Sequence, residues 1–137
     1  MRDFTDIAAS LRSCKDVDLL LRRHGFRRVE DLDITIRKNP ENPGNWRYSS
    51  EIWVRRVGAE YQAVRIDWKG HPTDPRGYAG HTPHIHFEMF PVEDFGMYLQ
   101  GVTRADGTNI PIAKFDVVTG LPSQDPTRTH GSIKTGR

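Results

Sequence analysis

A strict alternation of polar and apolar side chains at residues 84–89, His-Ile-His-Phe-Glu-Met, most constrains the fold of this chain. Successive side chains of a β-strand point to opposite faces, so the alternation predicts a strand with one face on a hydrophobic core. His84, His86 and Glu88 then share the other face, towards solvent or a cleft. Two imidazoles and a carboxylate on one rigid strand are able to bind a metal ion or to transfer protons.

The length and composition predict one domain followed by a polar tail. The chain has 137 residues, of which 36% are hydrophobic and 28% are charged, as expected for a single globular domain. We predict a catalytic domain over residues 1–120 and a mobile tail over residues 121–137. The lone Cys14 excludes an intrachain disulfide. No membrane span or secretory signal is visible, which indicates a cytoplasmic site of action and no membrane partner.

Capping patterns predict two short helices in the N-terminal third. Thr5 or Asp6 can cap the first helix. Ser13 and Asp16 form a Ser-x-x-Asp capping box before the second. Gly25 is placed to end the second helix in a left-handed conformation, with the next residue, Phe26, packing back on it.

Period-2 patterns and turn residues predict the sheet. The predicted strands cover residues 32–37, 48–57, 60–68, 84–90 and 110–118. Gly58 and Ala59 form a tight turn that makes the second and third strands an antiparallel hairpin. Pro91 is placed as the first residue of one further helix. The sequence therefore predicts an α+β fold, in which N-terminal helices precede a four- to five-stranded, mainly antiparallel sheet.

The polar row of residues 84–88 predicts an endoribonuclease that needs no cofactor. Cleavage of RNA at a 2′-hydroxyl requires a base, an acid and a cation at the phosphate, and imidazole titrates near neutral pH. The candidate catalytic residues are His84, His86, Glu88 and His81. The candidate substrate-binding residues are Arg65, Arg76 and Tyr78. Arg65 joins the histidine face only if its strand pairs in the matching register, which the sequence does not fix.

Zinc binding by the same strand is the alternative. His-x-His brings two imidazoles to one ion, and Glu88, His81 or His71 can supply a third ligand while a position stays open for water. The alternative function is a zinc-dependent hydrolase or a metal-binding module that uses His84, His86 and Glu88. Two further histidines, His24 and His130, stand isolated in the sequence, so no second ligand cluster is visible. A third interpretation is a polar strand whose histidines only satisfy hydrogen bonds.

Three features together resemble small bacterial ribonuclease toxin domains. They are the Leu-x-x-x-Gly-Phe helix end at residues 21–26, a small antiparallel sheet, and the Gly-x-x-x-His-x-His strand at residues 80–86. Such domains occur in toxin–antitoxin ribonucleases and at the C-terminus of contact-dependent and Rhs-type effectors. The resemblance implies RNA cleavage without metal, an antitoxin or immunity protein as partner, and delivery from another cell as part of a larger effector. It carries over only His84, His86, His81 and Glu88 as candidate catalytic residues.

Overall fold

The computed structural model describes residues 2–32, 50–67, 84–100 and 103–132. The strand predicted at residues 32–37 lies outside these ranges except for Leu32. The loop that carries Arg76, Tyr78 and His81 also lies outside them, so its predicted roles stay predictions. Among the described residues, no helix combines the length and the apolar character that crossing a membrane requires.

Two short helices, α1 (Ala8–Leu11) and α2 (Val17–Arg23), form the N-terminal part. No side chain caps α1, which follows Ile7, so the cap predicted at Thr5 or Asp6 is wrong. Asp16 caps α2, because its carboxylate accepts a hydrogen bond from the Leu19 N–H at 3.0 Å. The capping box predicted to begin at Ser13 is therefore wrong. A box would need Ser13 as the N-cap and Asp16 three residues into the helix, but Asp16 is itself the N-cap.

The end of α2 follows the prediction. Gly25 has a φ of 82°, a left-handed conformation that glycine adopts without steric cost. The Phe26 N–H donates a hydrogen bond to the Leu21 carbonyl, and the Gly25 N–H donates one to the Arg22 carbonyl. These two bonds define a Schellman motif, which turns the chain from α2 into the sheet.

Six strands form one antiparallel sheet among the described residues. They are β1 (Arg27–Arg28), β2 (Glu51–Val57), β3 (Glu60–Asp67), β4 (His84–Pro91), β5 (Ala113–Phe115) and β6 (Gly131–Ser132). The order along the sheet is β1-β2-β3-β4-β5, and β6 also pairs with β4. Helix α3 (Phe95–Gln100) follows β4 through a 3-10 turn at Val92–Asp94. The predicted α+β fold, with N-terminal helices, an antiparallel sheet and one further helix, is confirmed.

Some element boundaries differ from the predictions. Pro91 is the last residue of β4, opposite Glu60, and does not begin a helix. Its fixed φ suits extended backbone as well as a first helical turn, so the sequence pattern alone was ambiguous. The last predicted strand, residues 110–118, is reduced to Ala113–Phe115. The β2–β3 hairpin turns at Gly58 and Ala59 as predicted, with Gly58 at a φ of 61°.

Both faces of the sheet are covered. On one face, Ile85, Phe87 and Met89 pack with the N-terminal helices in a core where Phe4 stacks on Phe87 at 4.7 Å between ring centroids. The opposite face carries a second core, in which Phe90 of β4 stacks on Tyr98 of α3 at 4.1 Å. The polar row of β4 is on this second face and is buried.

The last described residues return to β4. Strand β6 places Ser132 opposite His84 and Gly131 opposite Ile85. The Val117 N–H donates a hydrogen bond to the Arg128 carbonyl, which ties this segment to the chain beside β5. Residues 133–137 lie outside the described ranges, and the mobility of the predicted tail stays a prediction.

Candidate functional site

The pairing of β3 with β4 brings their polar side chains onto one face. Arg65 lies opposite His86, and Asp67 lies opposite His84. Residues that pair directly across antiparallel strands point to the same face of the sheet. The register that the sequence left open is therefore the one that joins Arg65 to the histidine row.

A single carboxylate oxygen is the centre of this face. Asp67 Oδ2 lies 3.2 Å from His84 Nε2 and 3.3 Å from His86 Nε2. The Ser50 hydroxyl donates a short hydrogen bond to the other oxygen of Asp67, Oδ1. All four side chains are buried. One ligand atom each from Asp67, His84 and His86 lies within 4.8 Å of the other two, so the three side chains converge on one point.

A second layer of contacts lies behind Asp67. Arg65 Nε is 3.5 Å from Asp67 Oδ2, and Arg65 Nη1 is 3.2 Å from Glu88 Oε1. The Tyr98 hydroxyl of α3 donates a hydrogen bond to the same Glu88 oxygen at 2.7 Å. The side chains of Arg65, Asp67 and Glu88 are each about as exposed as a core residue, at 3%. Glu88 therefore binds Arg65 and Tyr98, and it is not part of the converging group.

A third imidazole contacts the group from the C-terminal segment. The ring centroid of His130 lies 4.3 Å from that of His86 and 6.0 Å from that of His84. His130 Nδ1 is 2.9 Å from the Pro126 carbonyl oxygen. A carbonyl only accepts, so Nδ1 carries the hydrogen and donates it. The expectation that His130 is isolated is wrong, because β6 folds this residue back onto β4.

Burial and charge determine the protonation of the site. Desolvation, together with repulsion from the Arg65 charge, lowers the pKa of His86 to about 3, so this imidazole is neutral at physiological pH. Desolvation also lowers the pKa of His130. Burial disfavours the charge on Arg65, but attraction to Glu88 and Asp67 outweighs it and raises the pKa of Arg65.

This set of donors suits a transition metal ion. Neutral imidazole nitrogens and a carboxylate oxygen are ligands of Zn²⁺, and a two-histidine, one-carboxylate set also suits Fe²⁺. The three residues come from the ends of two adjacent strands, which hold them rigidly. Three protein ligands are the usual number in a catalytic zinc site, because a further position stays open for water or substrate.

The structure brings some of the predicted site residues together, whereas others lie outside the described residues. It joins His84 and His86, and it places Arg65 within the buried network. His81, Arg76 and Tyr78 are outside the described residues. The sequence reasoning did not select Asp67 as a site residue, although Asp67 shares the period-2 set of Arg65. No sequence pattern links His130 to β4, because that contact depends on a strand of two residues.

No protein family model, curated protein or solved structure matches this chain. The functional inference for this protein therefore depends on the geometry around Asp67, His84 and His86.

Proposed function

We propose that this protein is a metal-dependent hydrolase whose ion, zinc, is held by Asp67, His84 and His86. The observation that carries the proposal is the convergence of three ligand atoms, one each from Asp67, His84 and His86, within 4.8 Å of one another. Ligands about 2.0–2.1 Å from a tetrahedral zinc ion are separated from one another by roughly 3.3 Å. The two contacts of Asp67 Oδ2, at 3.2 Å to His84 and 3.3 Å to His86, have this separation. Asp67 takes the place that the sequence alternative gave to Glu88.

The remaining contacts fit a hydrolytic centre. A zinc ion with an open position supplies a water of lowered pKa as nucleophile. The chain's own residues hold the ligands in place: Ser50 and Arg65 fix the two oxygens of Asp67. The backbone of His84 and His86 is held in place, because β4 pairs with β3, β5 and β6. Partners in this outer layer fix the direction in which each ligand points.

RNA is the substrate that we propose for this centre. The substrate follows from the resemblance to ribonuclease toxin domains and from the mildly basic chain, which has a net charge of +2. The cleavage without metal that the resemblance also implies belongs to the second candidate below. An antitoxin or immunity partner and a cytoplasmic site of action belong to the same proposal. They are supported by the resemblance alone.

A metal-free ribonuclease is the second candidate, and the position of His130 favours it. Its ring contacts His86, so three imidazoles and a carboxylate occupy one site and offer more than one candidate acid and base for the cleavage of RNA. In this case Asp67 would orient His84 as the base, and His130 or His81 would be the acid. Desolvation lowers the pKa of His130 and so reduces its protonated fraction near neutral pH. The pKa of His86 of about 3 leaves that imidazole without a role in proton transfer near neutral pH.

Metal content and chelator sensitivity separate the two candidates. The purified full chain is analysed for bound metals and assayed for RNA cleavage with and without a strong chelator. We expect a stoichiometric divalent metal, and cleavage that chelator abolishes and zinc restores. His84→Ala should lose both the metal and the activity. His24→Ala is the matched control, because His24 contacts Asp6 outside the site.

Each other outcome has a defined meaning. Cleavage that survives the chelator in a protein without metal would reject the zinc proposal in favour of the acid–base ribonuclease. Bound metal without RNA cleavage would retain the metal centre and reject RNA as its substrate. Bound iron in place of zinc would keep the ligands and change the chemistry.

A further inference from the structure

We infer that Glu88 and Tyr98 are positioning residues that set the affinity of the metal centre through Arg65, without contacting the ion. This inference is based on the proposed metal site at Asp67, His84 and His86. It gives Glu88, the residue that the sequence presented as a catalytic or ligating carboxylate, a different role.

The contacts form one continuous chain from α3 to the ligand. The Tyr98 hydroxyl donates to Glu88 Oε1 at 2.7 Å. The same oxygen lies 3.2 Å from Arg65 Nη1, and Arg65 Nε lies 3.5 Å from Asp67 Oδ2. Because Tyr98 belongs to the second core, the packing of α3 on the sheet fixes the far end of this chain.

Charge explains why the site needs Glu88. Arg65 carries one positive charge beside a ligand of the proposed cation, and in a buried site such a charge is weakly screened. Asp67 alone would be neutralised by Arg65, and the group would offer a divalent ion no net negative charge. Glu88 supplies a second negative charge, so the group of two carboxylates and one guanidinium has a net charge of −1. The guanidinium is shared between two carboxylates, and Asp67 keeps charge available for the ion.

The hydroxyl of Tyr98 keeps the Glu88 charge in place. The phenol donates to the same Glu88 oxygen that contacts Arg65, so it fixes the position of that oxygen relative to the guanidinium. The loss of this bond lets Glu88 shift relative to Arg65, and Arg65 then associates more closely with Asp67. Outer-layer partners of metal ligands typically contribute 10–100-fold to metal affinity.

Two variants test this inference on the full chain. Zinc dissociation constants are measured by competition with a chromogenic chelator, and the Co²⁺ complex is followed by its absorption spectrum. We expect Tyr98→Phe to weaken zinc binding about 10-fold and Glu88→Gln to weaken it about 10–100-fold. Both variants should keep the wild-type Co²⁺ spectrum, because no ligand has changed.

Tyr61→Phe is the matched control. Tyr61 lies on the same face of β3 as Arg65 and is partly buried against the second core, with its ring 4.9 Å from that of Phe95. This substitution should leave the zinc affinity unchanged. Urea unfolding of each metal-free variant shows whether a lower affinity only reflects a less stable protein. Tyr98→Phe removes one hydroxyl and decides the question if Glu88→Gln does not fold.

The outcomes distinguish this inference from the proposed function. Wild-type zinc affinity in a folded Tyr98→Phe variant would overturn the inference and leave the metal site intact. A changed Co²⁺ spectrum in Glu88→Gln would identify Glu88 as a ligand and would also overturn it. A wild-type protein that binds neither zinc nor cobalt would overturn the proposed function together with the inference.

Discussion

The Asp67 carboxylate is shared by two imidazoles, a serine hydroxyl and a guanidinium, all of them buried. A carboxylate in such surroundings is costly to bury unless each oxygen has partners. The sequence indicated in part that Asp67 lies near the histidines, because Asp67 alternates with Arg65 and both precede the connection to the histidine strand. What the sequence could not supply was the register, since a slip of one residue would move Asp67 to the opposite face.

Acid should destabilise the metal-free protein through His86. The pKa of His86 is about 3 in the folded protein and 6.5 without the fold, so the unfolded chain takes up a proton first as the pH falls. The contribution of neutral His86 to the free energy of unfolding is therefore fully present above about pH 6.5. It is lost progressively towards pH 3 and amounts to several kcal/mol at order of magnitude.

Urea unfolding in chelator at about pH 7 and about pH 4 measures this dependence. We expect His86→Gln to lose less stability than the wild type between the two pH values. His24→Gln is the control and should keep the wild-type dependence. Equal losses in His86→Gln and in the wild type would show that His86 is not the group responsible.

At the scale of elements, the two-residue strand β6 brings His130 to the histidines of β4. It pairs with His84 and Ile85 of β4, and it directly follows His130. Strands this short have no measurable periodicity, so β1 and β6 were not predictable from pattern. The alternating strands β3 and β4 were predictable, because each has a long apolar set at every second position.

Gly131 is the residue that allows β6 to approach the core. A Cβ at this position would overlap with Val117 Cγ2, and Val117 is buried. We expect Gly131→Ala to cost about 1–3 kcal/mol in the free energy of unfolding, as overpacking usually does. Denaturant unfolding measures the change.

A double variant identifies the cause. Val117→Ala makes room for the added methyl group, so the combined variant should be more stable than the sum of the two single changes predicts. Strict additivity would place the effect of Gly131→Ala elsewhere, for example in the backbone of β6.

At the scale of the whole molecule, the proposed ion links the centre of the sheet to the stability of the fold. The unfolded chain does not hold Asp67, His84 and His86 together, so binding favours the native state. Zinc at about 100 times its dissociation constant should add about 2.7 kcal/mol to the free energy of unfolding. Thermal unfolding with zinc and with chelator measures the difference. Asp67→Asn should show no such shift, and a shift equal to that of the wild type would exclude Asp67 as a ligand.

The sequence predicted the architecture better than it predicted the site. The fold class followed from helix caps and alternating strands, which are local signals. The composition of the site depended on three non-local facts: the pairing of β3 with β4, the burial of Arg65 between two carboxylates, and the return of His130 along β6. None of these three facts can be inferred from the spacing of residues along the sequence.

The chain leaves β3 at Asp67 and re-enters the sheet at His84, so residues 68–83 connect two of the proposed ligands. An ion bound by both would close this stretch at its base, much as a disulfide closes a ring. The entropy of closing such a ring increases only with the logarithm of its length. Insertions and deletions between these two residues would therefore change the closure cost very little.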